Sequence, residues 1–394
     1  MTDALPRADW SFPTRIRFGV GRVAELPEAC RALGMARPLL VTDRGLAALP
    51  VVEEVVRRVE AAGLPLAVFS GVRPNPVFRD VIDGVAAFKA GGHDGVIAMG
   101  GGSSLDSGKA IAFMSVQRYP LSELTVASFQ DFQAALPKIV TVGLPPVVSV
   151  ATTSGTGSEI GRSSAIIDEC TRTKKGLFHE RMMPAICIAD PGLTVGLSPA
   201  QTAAVGMDAL SHNLEAYYCP FYHPLAEGCA LRGMALVKEW LPRAVADGRD
   251  PMARSQMMAA SLAGATAFQK GVGGIHALSH PLSSVLDIHH GLANAVLMPY
   301  LIAFNAPAIE DKLAALARYL GLPRPSSRAV IDWVLDLRER IGIPHTLDGL
   351  GVTEAHVETF APMSVKDIVA GENPVPFTVE DARAIYAKAL TGRV

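Results

Sequence analysis

With 394 residues, 49% of them hydrophobic and only 19% charged, the chain is long enough for two compact domains with substantial cores. A formal net charge of −2, a pI near 6.6 and the lack of any dense Lys/Arg run remove the simplest case for nucleic acid or an anionic membrane as partner. No apolar run reaches the roughly 18–20 residues a membrane helix needs, and the opening MTDALPRADW lacks the apolar core of a signal peptide, so a cytoplasmic protein acting on a small diffusible molecule is expected.

In chain order, RPLLVTD (37–43), PLAVFS (65–70), DGVIAMG (94–100), VVSVATT (147–153) and AICIAD (185–190) are short apolar runs bounded by Gly, Pro or Asp, and they read as strands. Between several of them lie amphipathic stretches with helical periodicity, VVEEVVRRVEAAG (51–63) and NPVFRDVIDGVAAFKAGG (75–92). Such alternation predicts an α/β domain with a parallel sheet covered by helices. YPLSELTVASFQDFQAALPK (119–138) is the least regular piece and reads as an exposed excursion. The β-rich runs end near ADPGLTVGLSP (189–199), where Pro191, Gly192 and Pro199 mark a change of period. Beyond it AAVGMDALSHNLEAYY, LAEGCALRGMALVKEWLPRAV and SQMMAASLAGATAF predict an all-helical domain. The expected division is therefore 1–197 and 198–394. Cys30, Cys170, Cys187, Cys219 and Cys229 form no C-x-x-C pair, which argues against a disulfide framework or a thiolate zinc site; most read as buried thiols.

Two loops carry phosphate-type chemistry. DGVIAMGGGSSLDSGKAIAF runs from a strand through Gly100, Gly101, Gly102 and Ser103 into a helix expected to begin near Leu105. Successive main-chain amides at a helix N-terminus suit a pyrophosphate, and glycine lets the ligand approach closely. The segment satisfies neither the P-loop pattern nor G-x-G-x-x-G, and an ordinary tight turn is the bland alternative. The second loop, ATTSGTGSE, offers Thr152, Thr153, Ser154, Thr156 and Ser158 for phosphate or ribose, or simply for capping a helix. Asp43 closes a strand where a carboxylate can hold an adenosine ribose and repel a 2′-phosphate, or can cap a helix.

A third cluster suggests a metal. Asp208 and His212 are four residues apart and share a helix face, and His276 and His280 repeat that spacing, followed by His289 and His290. A carboxylate with two or three imidazoles suits Fe²⁺ or Zn²⁺ better than Mg²⁺ or Ca²⁺, which prefer oxygen shells. Spacing alone leaves open which four of them bind. No H-E-x-x-H is present, so a zincin-type peptidase lacks its signature, and the phosphate-type loops favour hydride transfer over hydrolysis.

Taken in order, GGGSSLDSGKAIA, TTSGTGSE, GMDALSHNLEAYY, GGIHALSHPLS and HHGLANAVLMPYLIAFN resemble the iron-containing (group III) alcohol dehydrogenases, the family of lactaldehyde reductase. The likeness extends from FPTRIRFGVGRVAEL to NPVPFTVEDARAIYAKAL. It implies a dehydroquinate-synthase-like N-terminal α/β domain, a helical C-terminal domain, and a cleft holding NAD and one divalent metal, with Fe²⁺ favoured and Zn²⁺ an option. Carried over by position, the resemblance assigns Asp208, His212, His276 and His290 to the metal. It assigns Asp43, Asn75, Gly101, Gly102, Ser103, Thr152, Thr153, Thr156 and Lys174 to the cofactor. His280 then stands beside the metal as a catalytic proton relay and His289 is structural. Members of the family often carry threonine and asparagine where this chain has Gly161 and Ser163, and proline where it has Ala151.

The expected activity is NAD(H)-linked interconversion of a primary alcohol and its aldehyde. Lys270 and Arg162 raise the further expectation of a substrate with an anionic far end, the alternative being that both cations are solvated or paired within the fold. A maleylacetate-reductase-like enzyme without metal and a metallohydrolase are the competing readings. A homodimer or larger homo-oligomer is expected, with neither nucleic acid nor membrane as partner.

Overall fold

The computed structural model describes residues 14–127 and 129–394, with the side chains of 129 and 130 set aside. The opening MTDALPRADW and the first two residues of FPTRIRFGVGRVAEL lie outside the described residues. The chain divides into two compact units, one formed by Pro13–Leu197 with Gly248–Met258 and the other by Ser198–Asp247 with Ala259–Val394.

The first unit contains β1 (Arg15–Phe18), α1 (Leu26–Ala32), β2 (Pro38–Asp43), α2 (Arg44–Ala47), α3 (Pro50–Ala61), β3 (Ala67–Val72), α4 (Phe78–Ala90), β4 (Gly95–Gly100) and α5 (Gly102–Met114). These are followed by α6 (Leu121–Leu124), α7 (Phe129–Ala135), β5 (Val147–Ala151), β6 (Ser163–Asp168), β7 (Thr173–Phe178) and β8 (Ile186–Ala189). Six strands make one sheet in the order β1-β8-β5-β4-β2-β3, parallel throughout. All five strands expected from apolar runs are in it.

Its two faces follow from the period of a strand. Leu39, Val41, Val96, Ala98 and Val147 point into one core with Leu105, Ile111 and Phe113 of α5. Their neighbours Leu40, Ile97, Met99, Val148, Val150, Ile186 and Ile188 point into a second core with α1 and α3. Burial on both sides is why these strands read as continuous apolar runs rather than alternating ones. β1 and the antiparallel hairpin β6–β7 were not legible in that way, because RIRF and TKKGLF are half-polar and only partly buried. The excursion at 119–138 is more integrated than expected. Leu121, Leu124 and Val126 are buried, and Val126 bridges Gly176 of β7.

The long helices of the second half are α8 (Pro199–Tyr218), α9 (Pro224–Ala246), α10 (Pro251–Ala267), α11 (Gly274–Leu286), α12 (His290–Tyr319), α13 (Ser327–Arg340), α14 (Glu354–Lys366) and α15 (Val379–Thr391). No strand follows Ala189 among the described residues. α12 is long and apolar enough to cross a membrane by composition alone, but it behaves as a core helix: Ala293 and Ala295–Ile302 are all buried, and its backbone leaves helical geometry at Ile309. The free cysteines follow expectation, with Cys30, Cys187 and Cys219 buried.

Candidate functional site

The helical unit brings the expected metal residues together from three helices. α8 opens with a reciprocal Ser198–Gln201 capping box and is buried from Thr202 to Tyr218, so Asp208 and His212 face the interior. α11 presents His276 and His280. The amides leading into and opening it are met by side chains from elsewhere in the unit, Val272 N donating to Glu372 Oε2 at 2.8 Å, Gly274 N to Asn373 Oδ1 at 3.3 Å and Ile275 N to Glu215 Oε1 at 2.6 Å. Asp287 ends the helix in the left-handed region, His289 stands exposed at the N-cap of α12, and His290 is its first residue.

One carboxylate oxygen of Asp208 and one ring nitrogen each of His276 and His290 lie within 4.8 Å of one another. His212 is outside that set, yet its Nε2 sits 3.0 Å from His276 Nε2. Asn294, one turn after His290, donates from Nδ2 to Asp208 Oδ1 at 2.9 Å and lies 3.2 Å from His290 Nε2. Glu215 Oε2 bonds His276 Nδ1, which leaves Nε2 of that ring for the centre of the cluster. His280 stacks on His290 with centroids 5.3 Å apart, and its Nδ1 is 2.8 Å from Asp367 Oδ2.

The donor set can be tested against a cation. Among the described residues no Lys or Arg forms an ion pair with Asp208, Glu215 or Glu372. Burial accordingly pushes the Glu215 carboxyl up to about 8 and that of Glu372 up to about 7. Imidazole nitrogens and a carboxylate oxygen converging in an interior whose acidic groups lack a protein cation fit a divalent ion. Glu215, Asn294 and Asp367 were missed from sequence. The first two had a signal, since Glu215 is seven residues from Asp208 and three from His212, and Asn294 is four from His290.

The sheet unit assembles the second group of residues. α5 begins at Gly102, three residues earlier than expected, so the amides of Gly102 and Ser103 belong to its first turn. Gly100 has φ of 146°, a conformation that a side chain would strain. A Cβ on Gly102 would lie 2.5 Å from Thr156 Cγ2 and one on Gly101 would lie 3.3 Å from Thr153 Cγ2, so the glycines let the two loops pack together. Thr152 N donates to Gly100 O at 3.0 Å. Asp43 caps α2 through Leu46 N at 2.9 Å and also accepts from Ser104 Oγ at 3.3 Å. Asn75 follows Pro74, whose carbonyl accepts from Ser103 Oγ. Lys174 lies on β7 opposite Ile167, whose amide bonds Pro76 O at 2.8 Å, while its neighbour Lys175 pairs with Asp168 at 2.7 Å.

Of the two cations suspected of meeting an anionic substrate, Lys270 takes the alternative. It is 4% exposed and pairs with Glu227 Oε1 at 2.7 Å, with Tyr217 O as second acceptor at 3.1 Å. Burial lowers its pKa and Glu227 opposes that shift, so its charge is answered inside the fold. Arg162 is half-buried over the Phe178 ring, 4.9 Å from its centroid.

Residues 13–191 match the family described as iron-containing alcohol dehydrogenase, and residues 202–390 match the Fe-containing alcohol dehydrogenase family, C-terminal. The chain is 36% identical to 4-hydroxybutyrate dehydrogenase of Cupriavidus necator over 96% of this chain and 98% of that one. It superposes on a 1,3-propanediol oxidoreductase crystal structure with a TM-score of 0.91 at 34% identity, covering 97% of this chain and 99% of that one. Sulfoacetaldehyde reductase from Bifidobacterium kashiwanohense, solved in complex with NAD⁺, gives 0.84 at 28% identity over 97% and 98%. These matches define the class as NAD-linked oxidoreductases interconverting alcohols and aldehydes. Within that class the chain belongs to the iron-containing alcohol dehydrogenase family.

Proposed function

We propose that this enzyme interconverts a short primary alcohol bearing an anionic or polar far end with its aldehyde, using NAD(H) and one ion, Fe²⁺ by preference, held by Asp208, His212, His276 and His290. The observation that carries the reading is the convergence of donor atoms from Asp208, His276 and His290 within 4.8 Å. A bound ion would supply positive charge that favours the alkoxide and polarises the carbonyl, and bound NAD(H) would supply the hydride acceptor or donor.

The chain's own residues do the rest. Glu215 fixes the His276 tautomer, and Asn294 steadies Asp208. His280, whose Nδ1 is bonded to Asp367, keeps Nε2 to take the alcohol proton and pass it toward water. The amides of Gly101, Gly102 and Ser103 hold the pyrophosphate, the hydroxyls of Thr152, Thr153 and Thr156 assist, and Asn75 and Lys174 complete the contacts. Asp43 takes the adenosine ribose and sets the preference for NAD over NADP.

The anionic far end draws support from two of the relatives, named for 4-hydroxybutyrate and sulfoacetaldehyde. With Lys270 committed to Glu227, Arg162 is the remaining cation of the sequence reading for that end. The enzyme is further read as a cytoplasmic homo-oligomer, to which the edge position of β1 lends support.

The test is NADH oxidation with a panel of aldehydes, under anaerobic conditions, on protein reconstituted separately with iron and zinc. Metal-dependent turnover, faster on a four-carbon aldehyde ending in carboxylate than on its uncharged analogue, is the expected result. Full turnover by chelator-treated protein overturns the metal reading. In the same assay His280→Ala should lower kcat by about 10²–10⁴-fold with the metal retained. Undiminished turnover across pH refutes the relay.

A further inference from the structure

The two candidate cofactor loops are fastened to one another by a buried cation for which the proposed chemistry has no use. Lys109 lies in the second turn of α5 and is 1% exposed. Its ammonium pairs with Asp106 Oδ1 at 3.1 Å, and it donates to the carbonyl oxygens of Ser163 and, at 3.4 Å, Gly161. Asp106 extends the grip. Its carboxylate accepts from Ser158 Oγ and from Ala165 N at 2.9 Å, and its main-chain carbonyl accepts from Ser164 Oγ at 2.8 Å. One turn of α5 therefore holds the backbone from 158 to 165, the stretch that leaves the threonine loop.

An ammonium has three protons, and here each has an acceptor. Burying the pair costs desolvation that an apolar residue of the same length would avoid, so stability is a poor reason for a lysine at this place. The neighbouring carboxyl of Glu159 is also buried, and Oε1 has no partner. Burial pushes that group up to about 7, and it is Asp106, at 3.1 Å, whose carboxylate lies within pairing distance of Lys109. What the lysine does supply is geometry. The threonine loop rests on Gly101 and Gly102 through the methyl groups of Thr153 and Thr156; its start is held to the glycine loop by Thr152 N donating to Gly100 O, and its far end by the bonds to α5.

We propose that Lys109 is a positioning residue for the cofactor, locking the threonine loop onto the glycine loop through Asp106 and the carbonyls of Gly161 and Ser163. The inference rests on the reading that these loops take NAD(H), and the experiment separates the two. Lys109→Met, Lys109→Gln and Gly102→Val are prepared in the full-length, metal-loaded enzyme. NADH affinity is read by fluorescence titration, beside kcat, KM for NADH, melting temperature and metal content.

Lys109→Met is expected to raise Kd and KM for NADH about tenfold, with kcat at saturating NADH within about twofold of the parent. Lys109→Gln, which keeps a neutral donor, should recover part of the loss, and metal content should be unchanged. If Lys109→Met lowers only the melting temperature and leaves NADH affinity intact, the lysine is structural and the proposal falls. If it does not fold, Lys109→Gln decides by the same criterion, and failure of both to fold also overturns the proposal. If Gly102→Val leaves NADH affinity unchanged, the loop reading itself is wrong.

Discussion

Gly291, the residue after His290, is where α12 meets α8, and it offers a direct test of how the metal cluster is built. A Cβ at this position would lie 2.4 Å from the carbonyl oxygen of Ala204 and 2.9 Å from Cβ of Asp208. Neither obstacle can swing aside, since one is helix backbone and the other is the first carbon of a proposed ligand. Ordinary C···O contact begins near ~3.3 Å, so the two helices must part by roughly 0.9 Å, or the first turn of α12 must tilt. Overpacking of this kind costs about 1–3 kcal/mol. Metal–nitrogen and metal–oxygen bonds of ~2.0–2.2 Å tolerate only about 0.2 Å, so the displacement cannot be absorbed by all donors at once. Gly291→Ala should therefore weaken divalent-ion binding by about tenfold or more. Competition against a chelator of known affinity, anaerobically for iron, measures this, and calorimetry measures the stability loss. A Gly291→Ala variant that folds and binds the ion as tightly as the parent would refute the idea that close approach of α8 and α12 sets the site.

Three further outcomes follow from the same geometry. Glu159 has a folded pKa of about 7 against 4.5 for the free group, because burial penalises its charge, so the native state keeps a proton that the unfolded chain has lost between those values. Its contribution to stability falls as pH rises through that window and is level above it, and Glu159→Gln should flatten up to ~3 kcal/mol of that slope in denaturant titrations; an unaltered slope counts against it. Asp43→Ser should raise kcat/KM with NADPH relative to NADH about tenfold, by removing a carboxylate that repels the 2′-phosphate, and an unmoved ratio argues that Asp43 is only the cap of α2. Lys270→Ala leaves the partly exposed Glu227 with Lys312 alone and should cost about 1.5–3 kcal/mol without changing discrimination between acidic and neutral aldehydes. A lost preference for acidic aldehydes at unchanged melting temperature would return Lys270 to the substrate.

How much of this was legible depended on whether the physics was local. The central strands announced themselves because burial on both faces requires unbroken apolar runs such as LLV and VIAM. RIRF at the sheet edge and TKKGLF in the hairpin carry no such demand, and periodicity passed over them. In the helical unit, spacing of four residues paired Asp208 with His212 and His276 with His280, His290 came from the family resemblance, and the structure draws Asp208, His276 and His290 together. The glycine loop was readable as a strand-to-helix turn, but the helix starts at Gly102 rather than near Leu105, since Leu105 N already bonds back to Gly101 O at 3.0 Å.

Partners distant in sequence are the part no local pattern could supply. Asp367 reaches His280 across 87 residues, and Lys109 finds the carbonyls of Gly161 and Ser163 across more than 50. Lys109 and Lys270 are both buried and answered by acids, Asp106 three residues away and Glu227 forty-three away. A charged residue near a motif thus divides by what its ammonium can reach inside the fold. Lys270 ends on Glu227 and the carbonyl of Tyr217 and ties down no loop of the proposed chemistry, whereas Lys109 ends on the segment that carries Ser158 and Glu159 out of the threonine loop. Of these two buried cations, only the second has geometry from which a change in cofactor affinity should follow.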